Sequence, residues 1–227
     1  MRENGLIISI DGPAGTGKSS VGKAVASRLG YGFLSTGEMY RALAYSVFEK
    51  HVDPQDYDGV LRVAQAMHFS FERQADAKLN VLVDGVYLGP EKLHLEEVGN
   101  VASKVSTNKD ARAVLTQKMR EAAQAGGIVM EGRDIGTVVC PDADVKLYLD
   151  ASAKERAKRR VLQLEQAGQK ADFDKILALI EERDYRDSHR AASPLKPAPD
   201  AVIIDTSALN LQEVIETVLA EVARKAK

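Results

Sequence analysis

The chain has no tryptophan, one cysteine and seven prolines in 227 residues, and only 5% of it is aromatic. A single thiol, Cys140, excludes an intramolecular disulfide framework and a multi-cysteine metal centre. Its flanks, Thr137-Val138-Val139-Cys140-Pro141, read as a strand end entering a proline turn, with Cys140 as a small buried hydrophobe. The four histidines, His51, His68, His94 and His189, are scattered, with no pair at metal-ligand spacing. Charge of one sign is also missing: the formal net charge is −2, so no global positive field draws in nucleic acid or a membrane surface. No apolar run approaches the roughly 18 residues that cross a bilayer, and the first strand begins too near the N-terminus to leave room for a secretion signal. A cytoplasmic protein with small-molecule partners, no nucleic acid and no membrane contact is expected, acting as a monomer. There is no internal repeat or low-complexity tract.

Apolar residues make up 44% of the chain, enough for the core of one α/β domain with an insertion. The most informative string is Gly12-Pro13-Ala14-Gly15-Thr16-Gly17-Lys18-Ser19, which fits G-x-x-x-x-G-K-[ST] and follows a buried strand at Leu6 to Asp11. Glycines let successive backbone N–H groups turn inward around phosphate oxygens, and the helix beginning near Lys18 adds its positive end. Lys18 is expected to reach the β and γ phosphates of a nucleoside triphosphate, and Ser19 to offer its hydroxyl to Mg²⁺. Asp11 has two readings: it orders Mg²⁺-bound water, or it caps the strand end.

After that strand and its helix (Lys18 to Leu29) come a short apolar run at Phe33 and Leu34 and a capping-box spacing at Ser35 and Glu38. These predict a helix over Gly37 to Lys50, followed by another over Tyr57 to Met67. His68 to Arg73, Asn80 to Asp84 and Val86 to Leu88 are short strands separated by turn residues, among them Asp84-Gly85. Helices at Glu91 to Val98 and Asp110 to Ala125 follow, the second stopped by Gly126-Gly127. Strands then recur at Ile128 to Glu131, Val145 to Asp150 and Val202 to Asp205, before a terminal helix from Leu211. Two charged helices, Ser152 to Ala167 and Asp172 to His189, lie between the last two strands. The expected fold is α/β: a five-stranded parallel sheet flanked by helices, with an inserted small antiparallel β-sheet plus helices and a short helical lid. Residues 1–66, 127–151 and 191–227 form the core in this reading, 67–126 the insertion, and 152–190 the lid with its adjoining helix.

Arginines recur in four further segments: Arg41; Arg133 in Glu131-Gly132-Arg133-Asp134; Arg156, Arg159 and Arg160; and Arg183, Arg186 and Arg190 at i, i+3 and i+7. Phosphoryl transfer needs cations that neutralise spread charge and hold donor and acceptor in line, and arginine grips phosphate bidentately. A phosphate acceptor, with its second pKa about 6, is already largely deprotonated and needs no general base.

The strings IDGPAGTGKSS, STGEMYRAL, EGRDIGTVVCPDADVKLYLDAS and RDYRDSHRAASPLKPAPDAVIIDT, in this order and at these separations, resemble those of the bacterial cytidylate kinase family. The resemblance covers nearly the whole chain, including the inserted sheet. It implies a P-loop nucleoside monophosphate kinase that transfers the γ-phosphate of ATP, with Mg²⁺, to CMP or dCMP. The donor would lie on Gly12 through Ser20. Thr36, Arg41, Arg133 and Arg190 would hold the acceptor phosphate, while Ser103, Arg112 and Asp134 would contact cytosine, and Arg183 and Asp187 the ribose. Arg156, Arg159 and Arg160 would close over the donor phosphates, and Lys18, Arg133, Arg156 and Arg160 would act in the transfer itself. Cytosine presents an amino donor with N3 and O2 acceptors, which a carboxylate plus donors complements. One departure concerns Ser35: many family members carry aspartate there, and Ser35 is expected to cap a helix instead.

Rival readings are a regulatory GTPase, a nucleotide-binding regulatory ATPase, or another small-acceptor kinase acting on UMP, AMP or shikimate. The first fails because Thr107-Asn108-Lys109-Asp110 lacks the spacer of N-K-x-D and precedes a helix. The inserted sheet and the Arg133-Asp134 pair argue against the other kinases.

Overall fold

A computed structural model describes residues 2–225. The first strand, β1 (Ile7–Asp11), is buried along its whole length. Its apolar side chains divide between two layers: Ile7 packs with Leu34, Met39 and Met130, whereas Ile8 and Ile10 pack with Val21, Val25 and Leu147. A strand apolar on both faces belongs in a covered parallel sheet. The sheet consists of β1, β2 (Gly32–Ser35), β6 (Ile128–Gly132), β7 (Val145–Asp150) and β8 (Val202–Asp205), ordered β2-β6-β1-β7-β8 and all parallel. Helices α1 (Lys18–Leu29) and α9 (Leu211–Lys225) cover one face. On the other lie α2 (Thr36–Glu49), α3 (Tyr57–Ala66) and α6 (Lys109–Ala123).

The insertion is a separate antiparallel sheet of β3 (Phe69–Arg73), β4 (Leu79–Val83) and β5 (Val86–Tyr87), followed by α4 (Gly89–Leu93) and α5 (Glu96–Val105). Asp84 and Gly85 both take positive φ, 51° and 78°, as a two-residue hairpin turn requires. The insertion is tied to the core at β2 and the start of α2: Phe33 N donates to Ala77 O (2.8 Å), and Lys78 pairs with Glu38 (2.8 Å). Between β7 and β8 the chain forms a helical hairpin, α7 (Ala153–Gln166) and α8 (Phe173–His189). Ser152 and Asp172 cap these helices by accepting from Glu155 N (3.2 Å) and Lys175 N (3.1 Å). No residue of α8 is buried.

Three local expectations are corrected. The helix expected at Glu91 to Val98 is two helices, because Leu95 is extended (ψ 144°) and restarts the chain as α5. The segment before Cys140 is a π-helical turn, Ile135–Val139, rather than a strand end. Its free N–H groups are held by Asp11, which accepts from Ile135 N and Gly136 N at 2.8 Å each. Ser35 precedes α2 without a capping bond from its side chain, and Glu38 turns to Lys78. The Ser35 hydroxyl instead donates to Glu131 Oε1 (2.7 Å), a buried carboxylate that competes successfully for it.

Candidate active site

Parallel register brings Asp11 beside Gly132, and Ser35 beside Glu131, at the carboxyl edge of the sheet. Ligands of open α/β sheets bind along this edge. The turn from β1 into α1 depends on Gly12 (φ 144°), where a Cβ would collide with the carbonyl oxygen of Leu149. Gly15 (φ 82°) lies against the first turn of α7, with Arg156 Cβ 3.3 Å from the position of a side-chain carbon. At the head of α1, Gly17 provides no side-chain cap, so the first N–H groups of the helix remain available to an anion.

Lys18 is buried and donates to Pro13 O (2.5 Å) and Thr16 Oγ1 (3.4 Å), while Thr16 Oγ1 also reaches Pro13 O (3.2 Å). Burial, and next the Arg133 charge, depress its pKa from 10.5 to about 7. A lysine held in that state is ready for anionic oxygens, which would restore its charge. Ser19 Oγ donates to Glu131 Oε1 (2.9 Å), the same oxygen that receives Ser35. Ser20, one residue on, is exposed. Burial also raises Asp11 from 3.8 to about 6, against the two N–H groups that favour its charged form.

Across the edge stands a second set of cations. Arg112 Nη2 donates to Asp134 Oδ2 (2.5 Å) with both side chains almost fully buried, and its guanidinium lies 5.2 Å over the ring of Tyr40. Arg190 reaches within 3.7 Å of Asp134 Oδ1, yet its buried Nη2 has no hydrogen-bond partner among the described residues. Arg133 Nε donates to Asp187 Oδ2 (2.9 Å), and Arg183 approaches the same oxygen at 4.0 Å with about half its side chain exposed. Thr36 Oγ1 donates to Glu131 O (2.8 Å), and Arg41 Nη1 to Leu93 O (2.8 Å). The structure therefore brings Arg112, Asp134, Arg190, Arg133, Asp187 and Arg183 together. Ser103 lies on the exposed rim, where Arg186 rather than Asp134 meets its hydroxyl (3.2 Å).

In the hairpin the three clustered arginines have separate surroundings. Arg159 is tied to the end of β8 through Thr206 O (2.5 Å), and Arg160 is exposed, donating to Gln163 Oε1 (2.8 Å). Arg156 is buried and gripped by Asp184 of α8. Three site residues escaped the sequence reading: Glu131, Tyr40 and Asp184. Each sits inside a string that was recognised, Glu131 directly before Gly132-Arg133-Asp134, Tyr40 before Arg41, and Asp184 three residues before Asp187. Among the described residues no group of three or more His, Cys, Asp or Glu is placed to hold a metal alone, and no helix is long and apolar enough to cross a membrane.

A family model described as cytidylate kinase matches residues 8–224. Among curated proteins, the chain is 42% identical over 216 residues to a cytidylate kinase from Geobacter sp. (strain M21), covering 95% of this chain and 92% of that protein. It is 41% identical over 217 residues to a cytidylate kinase from Pasteurella multocida (strain Pm70), covering 96% and 95%. Among solved structures, a gluconokinase from Sinorhizobium meliloti 1021 is similar in fold, with a TM-score of 0.50 and 19% identity over 100% of this chain and 95% of that one.

Proposed function

The chain belongs to the cytidylate kinase family, and on that premise we propose that it is an ATP-dependent phosphotransferase making CDP from CMP and dCDP from dCMP. The observation that carries the acceptor assignment is the buried Arg190 Nη2, without a hydrogen-bond partner among the described residues and beside a carboxylate already engaged by Arg112. A buried cationic donor of this kind calls for an anion, and a nucleoside monophosphate supplies one. Arg133 and Arg190, with Arg41 and Thr36 at the margin, hold that phosphate. Asp134, fixed by Arg112, accepts from the cytosine amino group, and Arg112 donates to the base; Ser103 adds a contact from the rim when the cleft closes. Asp187 and Arg183 take the ribose.

The donor lies on Gly12 through Ser20, with Lys18 at the phosphate to be transferred. The residues present fit Mg²⁺: a hydroxyl, Ser19, and a carboxylate, Glu131, stand 2.9 Å apart beside the loop. Because no group of three or more His, Cys, Asp or Glu among the described residues could hold the ion alone, it would take its remaining oxygen ligands from nucleotide and water. When bound, Mg²⁺ neutralises charge on the donor phosphates. Lys18 and Arg133 face the transferring group from its two sides, and Arg160, exposed on α7, closes over it. Transfer needs no protein base, because the acceptor oxygen carries its charge already, its second pKa being about 6.

Uracil reverses the donor and acceptor pattern that Asp134 and Arg112 complement, and a site built to hydrogen-bond one pattern rejects the other. A coupled assay across CMP, dCMP, UMP and AMP is expected to give much higher kcat/KM for the cytosine nucleotides; equal turnover of AMP and CMP would sink the assignment. The enzyme is proposed to act as a monomer in the cytoplasm.

A further inference from the structure

A loop that turns its N–H groups toward a phosphate must turn its carbonyl oxygens away, and each of those needs a donor. Two of the carbonyls here are accounted for. Pro13 O is held by Lys18 and Thr16 from within the loop. Ala14 O is held from outside it, by Arg156 Nη1 at 3.0 Å. Arg156 belongs to the first turn of α7 and is only 4% exposed. The rest of its guanidinium is engaged as well: Nε donates to Ala151 O (2.9 Å), Nη1 to Asp184 Oδ1 (3.1 Å) and Nη2 to Asp184 Oδ2. This fork-to-fork pairing fixes the plane of the guanidinium. Asp184 comes from α8, three residues before Asp187, so one helix face carries both the carboxylate on Arg133 and the carboxylate on Arg156.

We propose that Asp184 is a positioning residue for the donor nucleotide: through Arg156 it pins the Ala14 carbonyl outward and so keeps the phosphate loop in its N–H-inward form before nucleotide arrives. Arg156 is in this account a brace between loop and lid rather than a ligand of the transferring phosphate. Asp184 itself touches no nucleotide. A preorganised loop binds phosphate without first ordering itself, which is the source of the affinity gained.

The sign of the effect separates this role from plain electrostatics. Asp184 is an anion near a site for anions, so removing its charge would by Coulomb's law tighten nucleotide binding. Loss of a brace weakens it. The inference rests on the phosphate loop being the donor site, which titration of the wild-type protein with ADP tests separately; failure of that binding would overturn the functional reading itself. With wild-type binding established, Asp184→Asn is expected to raise the ADP Kd by about tenfold, which corresponds to about 1.4 kcal/mol, while CMP Kd changes less than about twofold. Ligand-free hydrogen exchange in peptides spanning residues 11–20 is expected to accelerate in the same variant. Asp184→Glu, which keeps the charge but cannot keep the fork geometry, is expected to fall on the same side, and it serves if Asp184→Asn does not fold. Unchanged or tighter ADP binding in a folded variant would overturn the proposal. So would an equal weakening of ADP and CMP, or a fall in melting temperature with loop exchange unaltered.

Discussion

Replacing Asp134 tests the acceptor site through two independent quantities. The carboxylate lies between Arg112 at 2.5 Å and Arg190 at 3.7 Å, with side-chain exposures of 7% for Asp134, 5% for Arg112 and 11% for Arg190. Asp134→Ala removes the only charge partner of Arg112 identified among the described residues and leaves two buried guanidinium groups facing each other. Breaking such a pair from one side costs about 3–5 kcal/mol. For a chain of this size 1 kcal/mol shifts the melting temperature by about 2–4 °C, so a fall of roughly 6–20 °C follows. Much of that loss reflects the stranded cations, so the double variant Asp134→Leu with Arg112→Leu is expected to recover a substantial part of the stability. It will not recover function. Loss of the hydrogen-bonding acceptor for the base is expected to raise the CMP KM by about 100-fold or more while the ATP KM stays within about threefold. Thermal unfolding by calorimetry and steady-state kinetics with each substrate varied measure these quantities. The reasoning is refuted if Asp134→Ala melts within about 2 °C of wild type, or if both KM values rise together.

Other expectations follow from single contacts. Because burial raises Asp11 from 3.8 to about 6, the folded state holds a proton that the unfolded state has released between those values, so this group makes stability fall as pH rises through that window. In urea midpoints between pH 4 and 6, Asp11→Asn is therefore expected to remove part of any downward slope, though at lower overall stability, since Ile135 N and Gly136 N donate to different carboxylate oxygens and Asn replaces one of these with an NH2 group; a slope unchanged by the substitution contradicts the reading. Gly12→Ala places a Cβ on the Leu149 carbonyl at a positive φ. It is expected to destabilise by several kcal/mol, about the upper range for single substitutions, or to abolish folding, and wild-type-like urea unfolding would show that the loop can relax. Arg160→Ala is expected to lower kcat by at least about tenfold with the melting temperature unchanged, because Arg160 is exposed and its bond to Gln163 is local. An unaltered kcat would remove Arg160 from the lid's active surface.

The phosphate-loop half of the proposed site was legible because its geometry is contiguous: one strand, one glycine loop and one helix start carry it, and short-range rules describe each. The five-stranded core was legible for the same reason, since runs such as Ile7 to Asp11 and Val145 to Asp150 identify their own burial. What misled was a local rule with a distant competitor. Ser35 and Glu38 have the spacing of a capping box, but the Ser35 hydroxyl donates its hydrogen bond to Glu131, 96 residues away. The turn after Asp134 coils because Asp11, 124 residues earlier, holds its first N–H groups. Pairing of Arg156 with Asp184 depends on how α7 and α8 cross, which no spacing within either helix specifies. The proposed acceptor half was legible only in outline, as arginines spread over separate segments, because Arg112, Asp134 and Arg190 come from three elements and no spacing predicts that they meet.

The strand order has a consequence for how the protein comes into being. Both sheet neighbours of β1 are late strands, β6 and β7, and β2 reaches the sheet only through β6. A nascent chain that has emerged as far as the insertion therefore owns a phosphate-loop sequence with no sheet to hold it. Entry of Ile128 to Gly132 between two strands made more than 90 residues earlier joins them into one sheet, and the segment delivers Glu131 to Ser19 and, directly after it, Arg133 to Asp187. Such long-range parallel pairing is slow to form. Synthesis thus withholds both halves of the proposed site at least until this central strand arrives, and a ribosome stalled before it carries a chain unable to assemble either.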